Sequence, residues 1–274
     1  MKNWLQDKTV IVTGASSGIG KEICRIFIEK YGVNVIGVGR SEEKMLAFQA
    51  ELKDKAKNFS YRLFDVASQD EWNAFAEELR KNGTSVTLLI HNAGMFPAFQ
   101  RVEDTATETL YKIMQTNFYS AVYGNQAFAS SVLKEEKGGI VHICSSGALC
   151  TVVGTMAYSA SKGALKAYVE ALMLEQKKKY VAIMYPGTTK TELFREDKQT
   201  ENSALDKVAM PASKMAKKIV KKIYKRKRRA VLGWDAKAMN FIAKIAPVKG
   251  PALICKVMQK SGSKVFKNVF KEER

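Results

Sequence analysis

Lys8 to Gly20 reads K-T-V-I-V-T-G-A-S-S-G-I-G, and this stretch decides the fold. Val10, Ile11 and Val12 make an unbroken apolar run that suits a strand covered on both faces. After the glycine turn, Ile23, Ile26 and Phe27 recur at helical spacing toward Lys30. A strand that enters a glycine turn and leaves as a helix is the context in which such a loop can cradle a dinucleotide. Gly14, Gly18 and Gly20 permit the tight turn, and the helix N-terminus would face a pyrophosphate, with Ser16, Ser17 and Ile19 beside it. A plain turn rich in small residues is the blander alternative, and the flanking strand and helix weigh against it.

Outward from this unit, strands and helices alternate. Val33–Val38 reads as a second strand, 42–56 as a charged, exposed helix, Asn58–Asp65 as a third strand and Gln69–Lys81 as a helix. Val86–Asn92 is a fourth strand that runs into N-A-G at Asn92–Gly94, and 105–133 is mostly helical, with Asn117 inside it. Asn is a poor helix former, so its position asks for a reason. Gly139–Cys144 is the fifth strand, Tyr158–Lys178 a helix, Tyr180–Tyr185 the sixth strand, and Ala230–Leu232 the last. Such alternation predicts an α/β fold, a Rossmann-like doubly wound parallel sheet in a single domain. Ligands of these sheets sit beyond the carboxyl ends of the strands. Thr13, Asp65, Asn92, Ser145 and Pro186 all fall at such ends.

A fold of this kind that prefers NAD usually carries an acid about 20 residues past the glycines, to hold the ribose 2′-hydroxyl. Here Gly39 and Arg40 stand in that place. A guanidinium without a carboxylate suits a 2′-phosphate, so NADP(H) is favoured over NAD(H). Arg40 as a mere cap on a solvent edge is the alternative.

The stretch Ser145 to Lys162, S-S-G-A-L-C-T-V-V-G-T-M-A-Y-S-A-S-K, offers a hydroxyl, a phenol and an ammonium. On one helix, Tyr158 and Lys162 share a face at i,i+4. A phenol with a pKa of ~10 is a poor proton shuttle at pH 7, and a cation beside it favours the phenolate. The pair is therefore expected to serve as an acid/base device for carbonyl reduction or alcohol oxidation.

The motifs T-G-A-S-S-G-I-G (13–20), D-V (65–66), N-A-G (92–94), Asn117, Ser145, Y-S-A-S-K (158–162) and P-G-T-T-K-T (186–191) follow one another in this order. In them the chain resembles the short-chain dehydrogenase/reductase family over residues 6–232. The resemblance implies that Tyr158 is the general acid/base and that Lys162 lowers its pKa and binds the nicotinamide ribose. It implies that Ser145 bonds the substrate oxygen, and that Asn117 holds a water in a relay toward the lysine. Asp65 and Val66 correspond to adenine contacts. Asn92, with Ala93 and Gly94, lies where the cofactor ribose passes. Pro186, Gly187, the main chain of Thr189 and the side chain of Thr191 would meet the carboxamide end; Thr189 stands where the family often has Val or Ile. The implied activity is interconversion of a ketone or aldehyde with an alcohol by hydride transfer. A non-catalytic NADP-binding sensor or membrane-surface scaffold is the alternative, and the intact Asn117, Ser145, Tyr158 and Lys162 weigh against it.

Four cysteines, at 24, 144, 150 and 255, lack any paired spacing, which points to a reducing, cytoplasmic setting. No uncharged apolar run reaches the ~18 residues a spanning helix needs. His91 and His142 lie in apolar strands and read as core histidines. Cys144 reads as a small buried hydrophobe. No His, Cys, Asp or Glu cluster has metal-ligand spacing, so no metal is expected. The wall Gly94–Phe99 with Leu149–Met156, rich in Met95, Phe96, Phe99, Val152, Val153 and Met156, suggests a lipophilic substrate of steroid, retinoid or acyl-chain type; the same residues as plain core are the equal alternative. The resemblance implies that the polar stretch after Thr188 is a flap over the substrate, with Leu193 and Phe194 as its expected closing contacts. A homodimer or homotetramer is expected.

Charge divides the chain. Residues 1–205 hold 25 Lys and Arg against 23 Asp and Glu, whereas 206–274 hold 20 against 4. Basic surface of that density meets phosphate. The expected division is a catalytic body at 1–232 and a basic extension at 233–274. A helix after Pro211 should pack Met215, Ile219, Val220 and Ile223 on the sheet. Trp234, Ala238, Phe241, Ile242 and Ile245 fit one face of the next helix, which Pro247, Gly250 and Pro251 should break. At ~100° per residue, Lys256, Lys260, Lys264, Lys267 and Lys271 cluster opposite Ile254, Met258, Val265 and Val269. Three readings stay open: peripheral contact with an anionic membrane through 234–274, a lid or subunit-contact arm, and a solvated tail. Nucleic-acid binding is not expected, because no reading module is present.

Overall fold

The computed structural model describes residues 3–191, 209–261, 266 and 269–270. Strand β1 (Thr9–Thr13) leads into helix α1 (Gly18–Tyr31), then β2 (Asn34–Gly39), α2 (Glu42–Glu51), β3 (Phe59–Leu63), α3 (Gln69–Lys81) and β4 (Val86–His91). Next come α4 (Thr107–Met114), α5 (Ser120–Val132), β5 (Gly139–Ile143), α6 (Met156–Glu175) and β6 (Tyr180–Pro186). The chain continues through the two-residue strands β7 (Thr189–Lys190) and β8 (Met210–Pro211), α7 (Ala212–Tyr224), β9 (Arg229–Leu232), α8 (Trp234–Ile245) and α9 (Lys249–Lys260). Seven strands form one parallel sheet in the order β3-β2-β1-β4-β5-β6-β9. This is the Rossmann-like, doubly wound single domain expected.

The apolar runs divide between the two faces residue by residue, because strand side chains alternate. Val10, Val12, Leu88, Ile90, Val141, Ile143, Ala182 and Met184 face α1, α2 and α7, with Phe27, Phe48 and Ile219 among the residues that cover them. Ile11, Leu89, Ile140, Val181 and Ile183 face α3, α5 and α6, with Trp72, Phe128 and Leu165. Both faces of the central strands are covered, so these carry little polar alternation, whereas the edge strand β3 alternates with Ser60 and Arg62 exposed.

Several boundaries differ from the sequence reading. The helix expected over 42–56 ends at Glu51 and a 3-10 segment, Lys53–Asn58, follows. Lys53 adopts a left-handed φ of 49° at that break. The helix expected over 105–133 carries a π turn at Gln115–Tyr119, centred on Asn117. Helix α7 packs its buried Met215, Ile219, Val220 and Ile223 chiefly against α1 rather than on the sheet alone. Gly250 and Pro251 do not break a helix but open α9, whose first turn tolerates a proline. The break is at Ala246–Val248. Leu193, Phe194, Lys264, Val265, Lys267 and Lys271 lie outside the described residues.

His91 and His142 are core histidines, as expected. Their rings stack at 4.9 Å. Asn125 bridges them, its Oδ1 3.0 Å from His91 Nε2 and its Nδ2 3.1 Å from His142 Nε2. Burial lowers His91 to about 4 and His142 well below its ordinary value. Both are therefore neutral in the folded chain, whereas an unfolded chain takes up those protons below about pH 6.5. Between roughly pH 4 and 6.5 the unfolded state binds more protons, so stability is full above that window and falls as pH drops through it. For His91 alone the expected loss is about 3 kcal/mol across the window. Urea midpoints at pH 7.5 and 5.0 check this, and the fall should shrink in His91→Gln. A pH-independent midpoint would contradict the buried, neutral pair.

Candidate active site

The glycine turn is held by its neighbours as much as by its own geometry. Thr13 Oγ1 accepts the backbone N–H groups of Asn92 and Ala93, both at 2.9 Å, and so ties the end of β1 to the end of β4. Asn92 Nδ2 donates to Thr13 O at 2.9 Å and Gly14 O at 3.4 Å. Gly14 and Gly18 take left-handed φ values of 65° and 54°, which other residues adopt only under strain. Gly20 is needed for a different reason: a Cβ there would meet Gly14 O at 2.2 Å and Asn92 Nδ2 at 2.5 Å.

Helices α2 and α3 begin with serines that cap them, Ser41 Oγ accepting from Lys44 N and Ser68 Oγ from Glu71 N, each at 3.3 Å. Helix α1 has no such arrangement. Ser17 makes no side-chain cap bond and the first turn carries no acid. The first N–H groups of α1, which a helix leaves unpaired, open into a cleft lined by Gly14, Ser17, Gly18 and Ile19.

The same cleft is lined by Asn92, Ala93 and Gly94, by Ser145, Tyr158 and Lys162, and by Pro186, Gly187, Thr188, Thr189 and Thr191. Strand β5 delivers Ser145 at its C-terminal end. Helix α6 presents Tyr158 and Lys162 one turn apart, 8% and 3% exposed. Lys162 Nζ lies 5.9 Å from the centre of the Tyr158 ring and donates to Ile143 O at 3.5 Å. Gly94 sits under this group, where a Cβ would approach Lys162 Nζ at 3.3 Å and Asn117 Oδ1 at 3.1 Å.

Asn117 explains its own awkward place in the helix. Its Oδ1 accepts from Met95 N at 2.7 Å, and its Nδ2 donates to Met95 O at 2.9 Å and Ser161 Oγ at 3.0 Å. The π turn aims this amide across the gap between the loop after β4 and helix α6. Such turns recur at functional sites. Both N–H groups are spent on protein partners, so the Asn117 side chain clamps the site rather than offering a donor to a water.

The electrostatics correct one expectation. Tyr158 is pushed up to about 12, not lowered: burial dominates, a hydrogen bond with Ser145 pulls the other way, and Cys144 adds to the rise. Lys162 is itself lowered by burial. Phe96 packs edge-on to Tyr158 at 4.9 Å, and Phe99, Phe266 and Val269 complete an apolar cluster around the phenol. Desolvation of the phenolate is the dominant effect. Burial also pushes the Cys144 thiol up to about 11, and it donates to Lys162 O at 3.3 Å. It is a packed residue, as expected.

Not all the residues singled out in the sequence reach the cleft. Ser16, Gly20, Arg40, Asp65, Val66 and Asn117 are not among the residues that line it. Arg40 is 74% exposed, with Nη1 3.7 Å from Asp65 Oδ2. Asp65 Oδ1 also accepts from Ala67 N at 3.0 Å. Val66 is buried, its carbonyl accepting from Trp72 Nε1 at 2.9 Å.

Set beside known proteins, this arrangement has a clear kinship. The profile of the short chain dehydrogenase family matches residues 8–202. The chain is a short-chain dehydrogenase/reductase. It is 32% identical to the 3-ketodihydrosphingosine reductase of Bos taurus over 200 residues, which is 70% of this chain and 59% of that one. It is 30% identical over 260 residues to SadH of Mycobacterium tuberculosis, an oxidoreductase by name, with 88% and 91% covered. A short chain dehydrogenase from Shigella flexneri, solved with NADP, superposes with a TM-score of 0.76 at 23% identity, over 86% of this chain and all of that one. That last likeness concerns the fold. The chain thus spans about three fifths of the length of the bovine relative.

The residues of this short-chain dehydrogenase/reductase fit a nicotinamide dinucleotide. The uncapped start of α1 suits a pyrophosphate, and the glycines leave room where any Cβ would intrude. Thr191 Oγ1 is buried against the cleft with no protein partner among the described residues. Thr189, by contrast, donates its hydroxyl to Gly187 O at 2.9 Å, which leaves its main chain for a ligand.

Asp235 escaped the sequence reading. It is the single acid between Lys207 and Lys271, and that isolation was the available signal. Its Oδ2 accepts from Thr188 N at 2.6 Å, and Gly187 and Gly233 are both in contact with its carboxylate. The loop that forms one wall of the cleft is thus tied to the first turn of α8. Thr13 and Ser161 were likewise missed as anchors, because a buried hydroxyl has no signature in a single sequence.

Proposed function

We propose that this enzyme interconverts a ketone or aldehyde with an alcohol, using NADP(H) and a lipophilic substrate of steroid, retinoid or acyl-chain type. The observation that carries this reading is the convergence of Ser145, Tyr158 and Lys162 on the cleft that the uncapped α1 opens into. NADPH, when bound, supplies the hydride. Tyr158 holds its proton throughout the neutral range and is poised to give it to the carbonyl oxygen, while Ser145 steadies the charge developing there. Lys162 would hold the ribose of the bound dinucleotide and, one turn from Tyr158, could return a proton to it. Asn117 keeps Met95 and α6 in register.

A lipophilic substrate accords with the apolar lining. A groove of about 650 Å³ runs between Gln100–Glu103 and Thr151–Met156, with Val152, Val153, Met156 and Val269 on its walls beside Arg101, Glu103 and Ser159, and Val269 also packs in the cluster that holds Tyr158. The bovine relative is named for a ketone of a long-chain lipid. Assembly as a homodimer or homotetramer is part of the same reading, checked by light scattering. A screen of lipophilic ketones followed by NADPH absorbance tests the reaction; no turnover with any carbonyl class would reject it.

Arg40 is the proposed holder of the 2′-phosphate, from which Ser16 stands across Gly39. An exposed ion pair such as Arg40–Asp65 contributes little, so the guanidinium is free to exchange its carboxylate for phosphate. Arg40→Asp should shift the NADP/NAD ratio of kcat/KM by roughly a hundredfold toward NAD, about 3 kcal/mol for a charge-assisted contact turned repulsive. An unchanged ratio removes Arg40 from the account.

A further inference from the structure

Helices α8 and α9 form a hairpin whose inner side is occupied and whose outer side is not. On the inside, Gly250 packs close to Ile242, Val153 N donates to Cys255 Sγ at 3.4 Å, and Met258 rests on the aromatic cluster around Tyr158. On the outside, Trp234, Phe241, Ile245, Val248, Leu253 and Val257 are all exposed, from 58% at Leu253 to 82% at Val248. Trp234, Phe241 and Ile245 fall on one stripe of α8, and Leu253 and Val257 on one stripe of α9. Scattered exposed apolar residues are ordinary, but six within one short hairpin mark a contact surface.

The charges around this surface identify what it meets. Lys237, Lys244, Lys249, Lys256 and Lys260 are exposed, and the one acid of the hairpin, Asp235, is buried under Thr188. An apolar stripe edged by lysines alone matches the boundary between acyl chains and anionic headgroups. A second copy of this chain fits poorly, since a face-to-face pairing would oppose lysine to lysine. Neither helix is long or apolar enough to cross a bilayer, so the hairpin would lie in the interface plane.

We propose that the α8–α9 hairpin docks this enzyme on the surface of an anionic membrane. After the hairpin, Phe266 and Val269 pack against Phe99 and Gly154, and Val269 lines the groove between Gln100–Glu103 and Thr151–Met156. Docking therefore sets the groove next to the bilayer, where a lipophilic carbonyl would partition. That last clause rests on the proposed reaction; the docking itself does not, and the test reads binding rather than turnover.

The full-length protein is sedimented with vesicles of phosphatidylcholine alone and with vesicles that carry about one third phosphatidylserine. Partition into the anionic vesicles should be at least roughly tenfold stronger and should weaken as salt rises. Phe241→Asp with Ile245→Asp should reduce it roughly tenfold or more, and Lys249→Gln with Lys256→Gln by a similar factor. Both pairs lie on the exposed side, so melting temperature and NADPH binding should stay unchanged and certify the fold. Absence of binding to either vesicle would overturn the proposal. So would equal retention on DNA, or a dimer in light scattering that the Phe241/Ile245 pair abolishes, which would assign the surface to a second copy.

Discussion

Tyr158→Phe should lower turnover by roughly a thousandfold while NADPH binding changes less than twofold, because general acid catalysis contributes about 10²–10⁴. The ring is held by its packing: Phe96 lies edge-on at 4.9 Å and the Phe99–Phe266–Val269 cluster surrounds it. Phenylalanine fills the same volume, so neither the fold nor the cleft is lost with the hydroxyl. What disappears is the proton donor and its bond with Ser145. Stopped-flow hydride transfer and fluorescence titration with NADPH separate the two quantities. Turnover retained within tenfold would refute the assigned donor; NADPH binding lost in parallel would mean that the phenol is a structural part of the cofactor cleft. The pH profile adds a sign. A phenol pushed up to about 12 keeps reduction flat through neutral pH, with a fall only on the alkaline side.

Gly20→Ala should have a large effect for one added methyl group. Helix propensity alone predicts a gain of about 1 kcal/mol at this position of α1. Against that, the added Cβ would lie 2.2 Å from Gly14 O and 2.5 Å from Asn92 Nδ2. The first of these is backbone and the second is engaged with Thr13 and Gly14, so neither can step aside cheaply. Overpacking of this kind costs about 1–3 kcal/mol, and the left-handed Gly14 next to it has little room to adjust. With the propensity gain set against it, the net expectation is a loss of up to about 2 kcal/mol, a melting point lower by up to roughly 4–8 °C, and NADPH binding at least tenfold weaker. Thermal melts and titration check both. A variant that melts at the parent temperature and binds normally would show that α1 does not press on the turn.

The two variants probe opposite kinds of residue, and they also mark where sequence reading works. Gly14, Gly18 and Gly20 were legible because a strand, a turn and a helix follow each other within a few residues, and local sterics admit little else there. The parallel sheet was legible for a related reason: strands covered on both faces must be largely apolar, and Val10–Val12, Leu88–Ile90 and Tyr180–Tyr185 are. Tyr158 and Lys162 were legible because one helical turn separates them. Asn117 could be flagged as an anomaly in a helix, but the π turn that spends its amide on Met95 and Ser161 depends on two segments far away in the chain.

The remainder needed three dimensions. A lysine four residues from a tyrosine states that a cation is near, yet the direction in which the phenol shifts depends on how much water the surrounding chain excludes. Here that chain includes Phe266 and Val269, more than a hundred residues downstream. Asp235 is an unremarked acid in a basic tail until the fold brings Thr188 to it. The periodicity of Trp234, Phe241 and Ile245 announced an apolar face, and only the packed structure left that face bare. Local sterics and the alternation of apolar runs are properties of neighbouring residues, so the sequence alone determined the parallel sheet, the glycine turn and the spacing of phenol and amine. Desolvation and the covering of a surface are properties of whatever the rest of the chain brings alongside, and those the tertiary structure decided.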